Sequence, residues 1–277
     1  MTRPADSAWS PWRSGAATLA GVRGLGDKAW TLRYLLGRRL PALAPPAGRR
    51  RLRLAGIATP ITLDRDSGGL STYYEIVRAG VYRGRPGFVP PVGGCVVDVG
   101  ANLGVFSAWA AGAVGPTGHV VAIEPHPHAC ELLRTNLAPV AARTTVLQVG
   151  CGREDATLPL RYPPGRLAVA TFAADAAAAA TARVDVPVRR LDDVLDDVAV
   201  GGIDLLKIDV EGFEAEVLDG APRTLARTAR VVCEVARDRL EAVRSRLVAV
   251  GFRVEEGLRD VWGDPSLLVL HARREGT

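Results

Sequence analysis

The stretch LLKIDVEGFE, Leu205 to Glu214, sets Lys207, Asp209 and Glu211 at alternate positions inside and just beyond an apolar run. Of the 35 basic residues only two are lysines, Lys28 and Lys207. A charged pair inside an apolar strand is costly unless it is matched or put to use. Such a lysine can brace a turn as an ion pair. The same groups can border a reaction site, where Asp209 or Glu211 removes a proton from an acceptor, or Lys207 does so if burial lowers its pKa. Residue types alone leave that choice open. Glu214 and Glu216 fall in the first turn of the next helix, where solvated negative charge is favoured.

A second constellation lies upstream. VVDVGANLGVF places Asp98, Gly100, Asn102 and Gly104 at a strand-to-helix turn, where glycines allow a tight bend and close approach of a ligand. The next strand ends AIEP, with Glu124 then Pro125. A carboxylate there accepts hydrogen bonds from a ribose diol, so the spacing predicts a nucleoside-containing cofactor. The dinucleotide fingerprint G-x-G-x-x-G fails at Asn102 and Val105, which disfavours NAD. Asp98 would repel phosphate but suits an ammonium group. S-adenosylmethionine carries an ammonium, a sulfonium and no phosphate, so it is the expected cofactor.

RVVCEV brings Glu234 to a neighbouring strand end, where it could converge with Asp209 and hold Mg²⁺. A metal is an alternative here, not an expectation. His126 and His128 flank Pro127 after the ribose acid, and exposure at a helix start is expected for them. His119 and His271 read as structural or solvated.

These residues need a scaffold. From Gly94 onward, short apolar strands alternate with helical segments, which predicts a parallel sheet covered on both faces. The last two strands, around FRVEE and SLLVLHA, suit an antiparallel hairpin at the sheet edge. Residues 94–277 form the expected main domain. An alanine-rich insertion of unknown shape lies around 165–183. Residues 51–93 read as two short strands, a helix opened by a capping box from Thr72 to Glu75, and a Gly/Pro-rich linker. Residues 1–50 hold Trp9, Trp12 and Trp30 and a basic helix before Pro41, with Trp30, Tyr34 and Leu35 at helical spacing. That helix packs on the main domain, or serves as a lid, a homo-oligomer contact or a membrane-surface element.

The bulk composition fits one large α/β domain with an extension. The chain has 277 residues, 48% of them apolar, and a formal charge of +5. The positive residues read as scattered apart from GRRRLRL, and no basic stripe with interleaved aromatics points to nucleic acid. Four cysteines without a CxxC pair suit a reducing, cytoplasmic compartment. No signal pattern opens the sequence. The longest uncharged run is broken by glycines and a proline, so no transmembrane segment is expected.

Together, VVDVGANLGVFS, AIEPHP and LLKIDVEGFEAEVLDG resemble the FkbM family of class I S-adenosylmethionine-dependent methyltransferases, over roughly Leu70 to Val235 and including YYEIVRAGVY. The resemblance implies a Rossmann-like, seven-stranded, mostly parallel sheet with helices on both faces and its last strand antiparallel. It implies Asp98, Gly100, Asn102, Gly104 and Glu124, with Pro125 beside it, as cofactor-binding positions. It implies methyl transfer to a hydroxyl of a small molecule, a sugar or a secondary metabolite. N-methyl transfer, a Mg²⁺-dependent sugar O-methyltransferase and a non-catalytic S-adenosylmethionine-binding module are the alternatives. Nothing in the resemblance covers residues 1–50 or the alanine-rich insertion.

Overall fold

The computed structural model describes residues 11–164, 169–173, 181–259 and 266–274. The chain opens with α1 (Pro11–Gly21), β1 (Val22–Arg23) and α2 (Leu25–Gly37). It continues through β2 (Arg49–Leu54) and β3 (Ile61–Asp64). These three strands form a small antiparallel sheet in the order β1-β2-β3, so residues on both sides of position 50 share one sheet. Leu52, Leu54, Ile61 and Leu63 alternate inward from it and are buried, as period-2 patterning requires.

Next comes α3 (Gly69–Tyr73), which runs on as a π-helix over Tyr74–Ala79. The expected capping box is absent. The helix starts earlier, after the left-handed Gly68, and Thr72 Oγ1 donates back to the Gly68 carbonyl. Thr72 therefore lies inside the helix and not at its N-cap position.

The main unit follows as β4 (Cys95–Val99), α4 (Val105–Val114), β5 (His119–Ile123), α5 (Pro127–Leu137) and β6 (Arg143–Leu147). Then come β7 (Gly150–Gly152), β8 (Ala156–Tyr162), β9 (Ala182–Arg190) and α6 (Leu191–Asp196). The chain ends with β10 (Leu205–Ile208), α7 (Glu214–Asp219), α8 (Pro222–Ala226), β11 (Arg230–Ala236), α9 (Leu240–Ala249), β12 (Phe252–Arg259) and β13 (Leu267–Arg274).

Seven strands form the central sheet in the order β12-β13-β11-β10-β4-β5-β6. The inner pairs are parallel, while β13 runs antiparallel to both β11 and β12. The predicted Rossmann-like architecture is therefore present, with β13 inserted between β11 and the edge strand β12. Strands β7, β9 and β8 make a separate three-stranded sheet that the sequence reading passed over. The expected insertion spans β9's start; its residues 165–168 and 174–180 lie outside the described residues, as does Trp9.

Alternation along the central strands divides the core in two. Val96, Val120 and Val232 join α4, α5 and the N-terminal sheet on one face. Val97, Val99, Leu206, Ile208 and Cys233 meet α6, α7 and α9 on the other. Each fully buried valine or leucine contributes about 1.5–3 kcal/mol by leaving water.

Candidate active site

The strand register decides which charges meet. Lys207 on β10 lies beside Asp98 on β4 and beside Val232 on β11. Two residues further along β11 is Glu234, on the face shared by Asp98 and Lys207. The carboxyl ends of β4, β10 and β11 therefore open together, as ligand sites in parallel sheets do.

Lys207 is almost fully buried, and its ammonium has three partners. Asp98 Oδ1 lies at 3.1 Å, Asp209 Oδ2 at 3.4 Å, and the Gly100 carbonyl accepts from it at 2.7 Å. Burial alone would depress this lysine; the fields of Asp98 and Asp209 outweigh it and hold the ammonium above its usual pKa. The ammonium thereby ties Asp98, Asp209 and the Gly100 carbonyl together.

Asp98 lies on β4. Its side chain is wholly buried, with Ser107 Oγ donating to Oδ2 at 2.5 Å and Lys207 on the other oxygen. It does not line the cavity at the strand ends. The Asp98 side chain faces Ser107 on α4 and the Lys207 ammonium.

Gly100 and Glu124 lie where the spacing predicts. A Cβ on Gly100 would stand 1.8 Å from the Asp209 carbonyl oxygen, and φ is +78° there. Only glycine lets the two strand-end loops touch. Asn102 is left-handed too, with φ 50°. Its backbone N–H donates to Glu124 Oε2 at 2.8 Å, and the His126 N–H donates to Oε1 at 2.8 Å. Burial pushes the Glu124 carboxyl up to about 7, partly offset by those two N–H donors. Asn102 Oδ1 is buried with no hydrogen-bond partner. An orphaned acceptor beside a buried carboxylate fits a ligand carrying several hydroxyl or ammonium donors. Gly104 closes the turn as the left-handed residue before α4.

The acceptor end contains a residue that the sequence reading missed. Tyr82 Oη donates to Asp209 Oδ2 at 2.9 Å and lies 3.1 Å from Glu234 Oε2. The expected convergence of Asp209 and Glu234 is real, but a phenol stands between them. Burial, then the charges of Asp209, Glu75 and Glu211, raise Glu234 well above the usual carboxylate range. The pair therefore keeps a proton that a fully ionised pair would lose. Among the described residues, no group of three or more His, Cys, Asp and Glu side chains is arranged to hold a metal. Tyr82 ends the YYEIVRAGVY segment, in the short 3-10 turn Val81–Arg83, 127 residues from Asp209, and the sequence reading gave it no chemical role.

Glu211 sits at the exit of β10 with φ 53°, a conformation that is strained for a non-glycine residue. Its carbonyl accepts from Thr171 Oγ1 at 2.5 Å, which ties the insertion to this turn. Two expectations nearby are corrected. Glu214 is buried, not solvated: its Oε1 accepts from the Gly212 N–H at 2.8 Å, and burial raises it to about 7. His126 is buried, not exposed; its ring caps α5 and meets Tyr162 edge-on at 4.5 Å. Glu216 remains partly exposed and pairs with Arg153. His128 is partly exposed and contacts Asp64.

One cavity of about 1080 Å³ joins these groups. Ligand pockets span roughly 300–1,000 Å³, so this one is large enough for a cofactor and an acceptor together. Asn102, Glu124 and Pro125 line one part; Tyr82, Asp209, Glu211 and Glu234 line another. Glu75 and residues from α2 and the Arg65–Gly68 turn add further wall.

The chain is similar to several known proteins. Methyltransferase sdnD of Sordaria araneosa is 34% identical over 154 residues, covering 45% of this chain and 59% of that protein. The AMB antimetabolite synthetase AmbE of Pseudomonas aeruginosa is 31% identical over 201 residues, covering 59% of this chain and 9% of that one. The chain thus spans less than two thirds of these relatives. Among solved structures, Aeropyrum pernix fibrillarin in complex with S-adenosyl-L-methionine aligns with a TM-score of 0.43 at 13% identity, over 66% of this chain and 67% of that one. The methyltransferase FkbM domain matches residues 98–254, more than half of the chain. The chain belongs to the FkbM methyltransferase family.

Proposed function

We propose that the protein transfers the methyl group to a hydroxyl of a small molecule, a sugar or a secondary-metabolite intermediate. The observation that carries this reading is the single cavity joining the Asn102–Glu124 turn to the Tyr82–Asp209–Glu234 cluster. Gly100, Asn102, Glu124 and Pro125 would hold the cofactor. When bound, it supplies a methyl group on a sulfonium, a good leaving group for in-line displacement.

Asp209 then has two tasks. It accepts a hydrogen bond from the acceptor hydroxyl and takes its proton as the new bond forms. It also orients that oxygen, and orientation supplies much of the rate in a displacement of this kind. Lys207 holds Asp209 in place through their ion pair. The Tyr82 hydroxyl, within hydrogen-bond reach of both carboxylates, orients Asp209 beside Glu234. Glu211, on its strained turn, borders the acceptor. Mg²⁺ is unnecessary in this reading, because the Tyr82 hydroxyl occupies the place between the carboxylates that a cation would take.

The test is direct. The purified chain is titrated with S-adenosylmethionine, and methyl transfer is followed over a panel of sugars, macrocyclic alcohols and amines, with and without a chelator. Transfer to an alcohol that survives chelation is expected. Transfer to amines alone would move the reading to N-methylation, and cofactor binding without any transfer would favour a binding module.

A further inference from the structure

We infer that helix α2 and the turn after it dock the protein onto an anionic lipid surface. Charge is the first ground. Residues 11–63 contain ten of the 35 Lys and Arg but one of the 30 acids, Asp27. The rest of the chain is net negative, with 25 basic residues against 29 acidic ones. The positive charge that read as scattered is concentrated in this one region. Asp27 itself is matched by Arg50, with Nη2 donating to Oδ1 at 2.8 Å. The Arg53 guanidinium lies against Gly24, at the same end of α2 as Leu25.

Apolar exposure is the second ground. Leu25 is 87% exposed, Leu32 45%, Leu40 56% and Leu43 44%, which makes four of the seven exposed large apolar residues among those described. Leu25 and Leu32 are seven positions apart and share a face, with Lys28 exposed between them. The opposite face holds the fully buried Thr31 and the stacked pair Trp30 and Tyr34, which pack on the core. Helix α2 therefore has a second apolar stripe, flanked by cations, that nothing in this chain covers among the described residues.

Three occupants compete. A second copy of the chain would set one cationic face against another, an unfavourable juxtaposition in a two-fold interface. Protein hot spots favour Trp, Tyr and Arg and are poor in Leu, whereas the exposed apolar residues here are leucines. Leucines beside Lys and Arg are what an interfacial helix uses to enter the headgroup region. The opposite side of α2 also bears on function, because Tyr34, Gly37 and Arg38 line the catalytic cavity. Docking would bring the cavity mouth near the membrane surface, whatever the acceptor is.

The experiment is co-sedimentation of the full chain with phosphatidylcholine vesicles, with and without about 30% phosphatidylglycerol, at low and high salt. The chain should bind the anionic vesicles, lose most of that binding in high salt, and ignore pure phosphatidylcholine. Leu25→Ser with Leu32→Ser, and separately Lys28→Glu with Arg53→Glu, should each weaken binding about tenfold or more, with melting temperature confirming the fold. Three results would overturn the inference. One is no binding to anionic vesicles. Another is unchanged binding by the serine variant, which would leave a bare charge attraction. The third is a dimer in light scattering that the serine variant dissolves, which would assign the face to a second copy.

Discussion

The two ends of the cavity are built in different ways. The cofactor end comes from one continuous stretch, Gly100 to His126, in which backbone N–H groups and one carboxylate hold each other at 2.8 Å. The acceptor end is gathered from Tyr82, Asp209, Glu211 and Glu234, with walls from the N-terminal region and the insertion. The first is a local motif that any acceptor can use. The second depends on long-range packing, so it is where a shared fold acquires its own substrate.

Substitutions can break or sharpen that division. The largest effect is expected from Asp209→Asn, which removes the proposed proton acceptor. Turnover should fall by about 10²–10⁴-fold, while calorimetry should show cofactor affinity nearly unchanged. A parallel loss of both would mean that the two ends are not separable. Lys207→Met should destabilise the fold by about 3–5 kcal/mol in urea unfolding, because it leaves Asp98 buried and unpaired. Asp98→Asn added to it should restore part of that loss; no recovery would mean that the Asp98–Lys207 pair is not what links β4 to β10.

Glu124→Gln should raise the cofactor Kd about 10- to 100-fold, through lost charge-assisted hydrogen bonds of about 1.5–3 kcal/mol. The same carboxylate predicts a pH effect. Its folded pKa is raised to about 7, so it is largely protonated in the unliganded protein below that value. Ribose hydroxyls donate to the charged form, so binding should release a proton and tighten as pH rises toward 7, then level off. The Gln variant should show a flat profile. Tyr82→Phe is the mildest, at about 1–3 kcal/mol of stability for a buried partner left unsatisfied. Its signature is a changed pH dependence of turnover with cofactor affinity intact.

The same contrast explains what the sequence made legible. Apolar strands, glycine turns and a lone acid after the second strand of the main domain read directly as the cofactor end, because each depends on neighbours within a few residues. Asp98 was placed on the right strand, but its contacts with Lys207 and Ser107 were not foreseen. Spacing specifies a strand end, whereas the choice between ligand and lysine depends on what the adjacent strand presents. Tyr82 was illegible, since its partners are 127 and 152 residues away. The β7-β9-β8 sheet was missed because Pro159 and Pro187 interrupt strands β8 and β9 and alanine-rich sequence adjoins β9, masking the alternation. Glu214 and His126 are polar residues in helix-start positions, and such residues usually meet water; here tertiary packing buries both.

The placement of β13 carries a consequence for biosynthesis. Leu267–Arg274 pairs with both β11 and β12, so β12 has no partner, and β11 has only β10, until this last strand of the sheet has been synthesised. While the nascent chain waits, the β11 edge beside Glu234 stays open, and any strand-forming segment nearby can compete for it. Assembly order thus makes the active-site edge the last part of the sheet to be sealed.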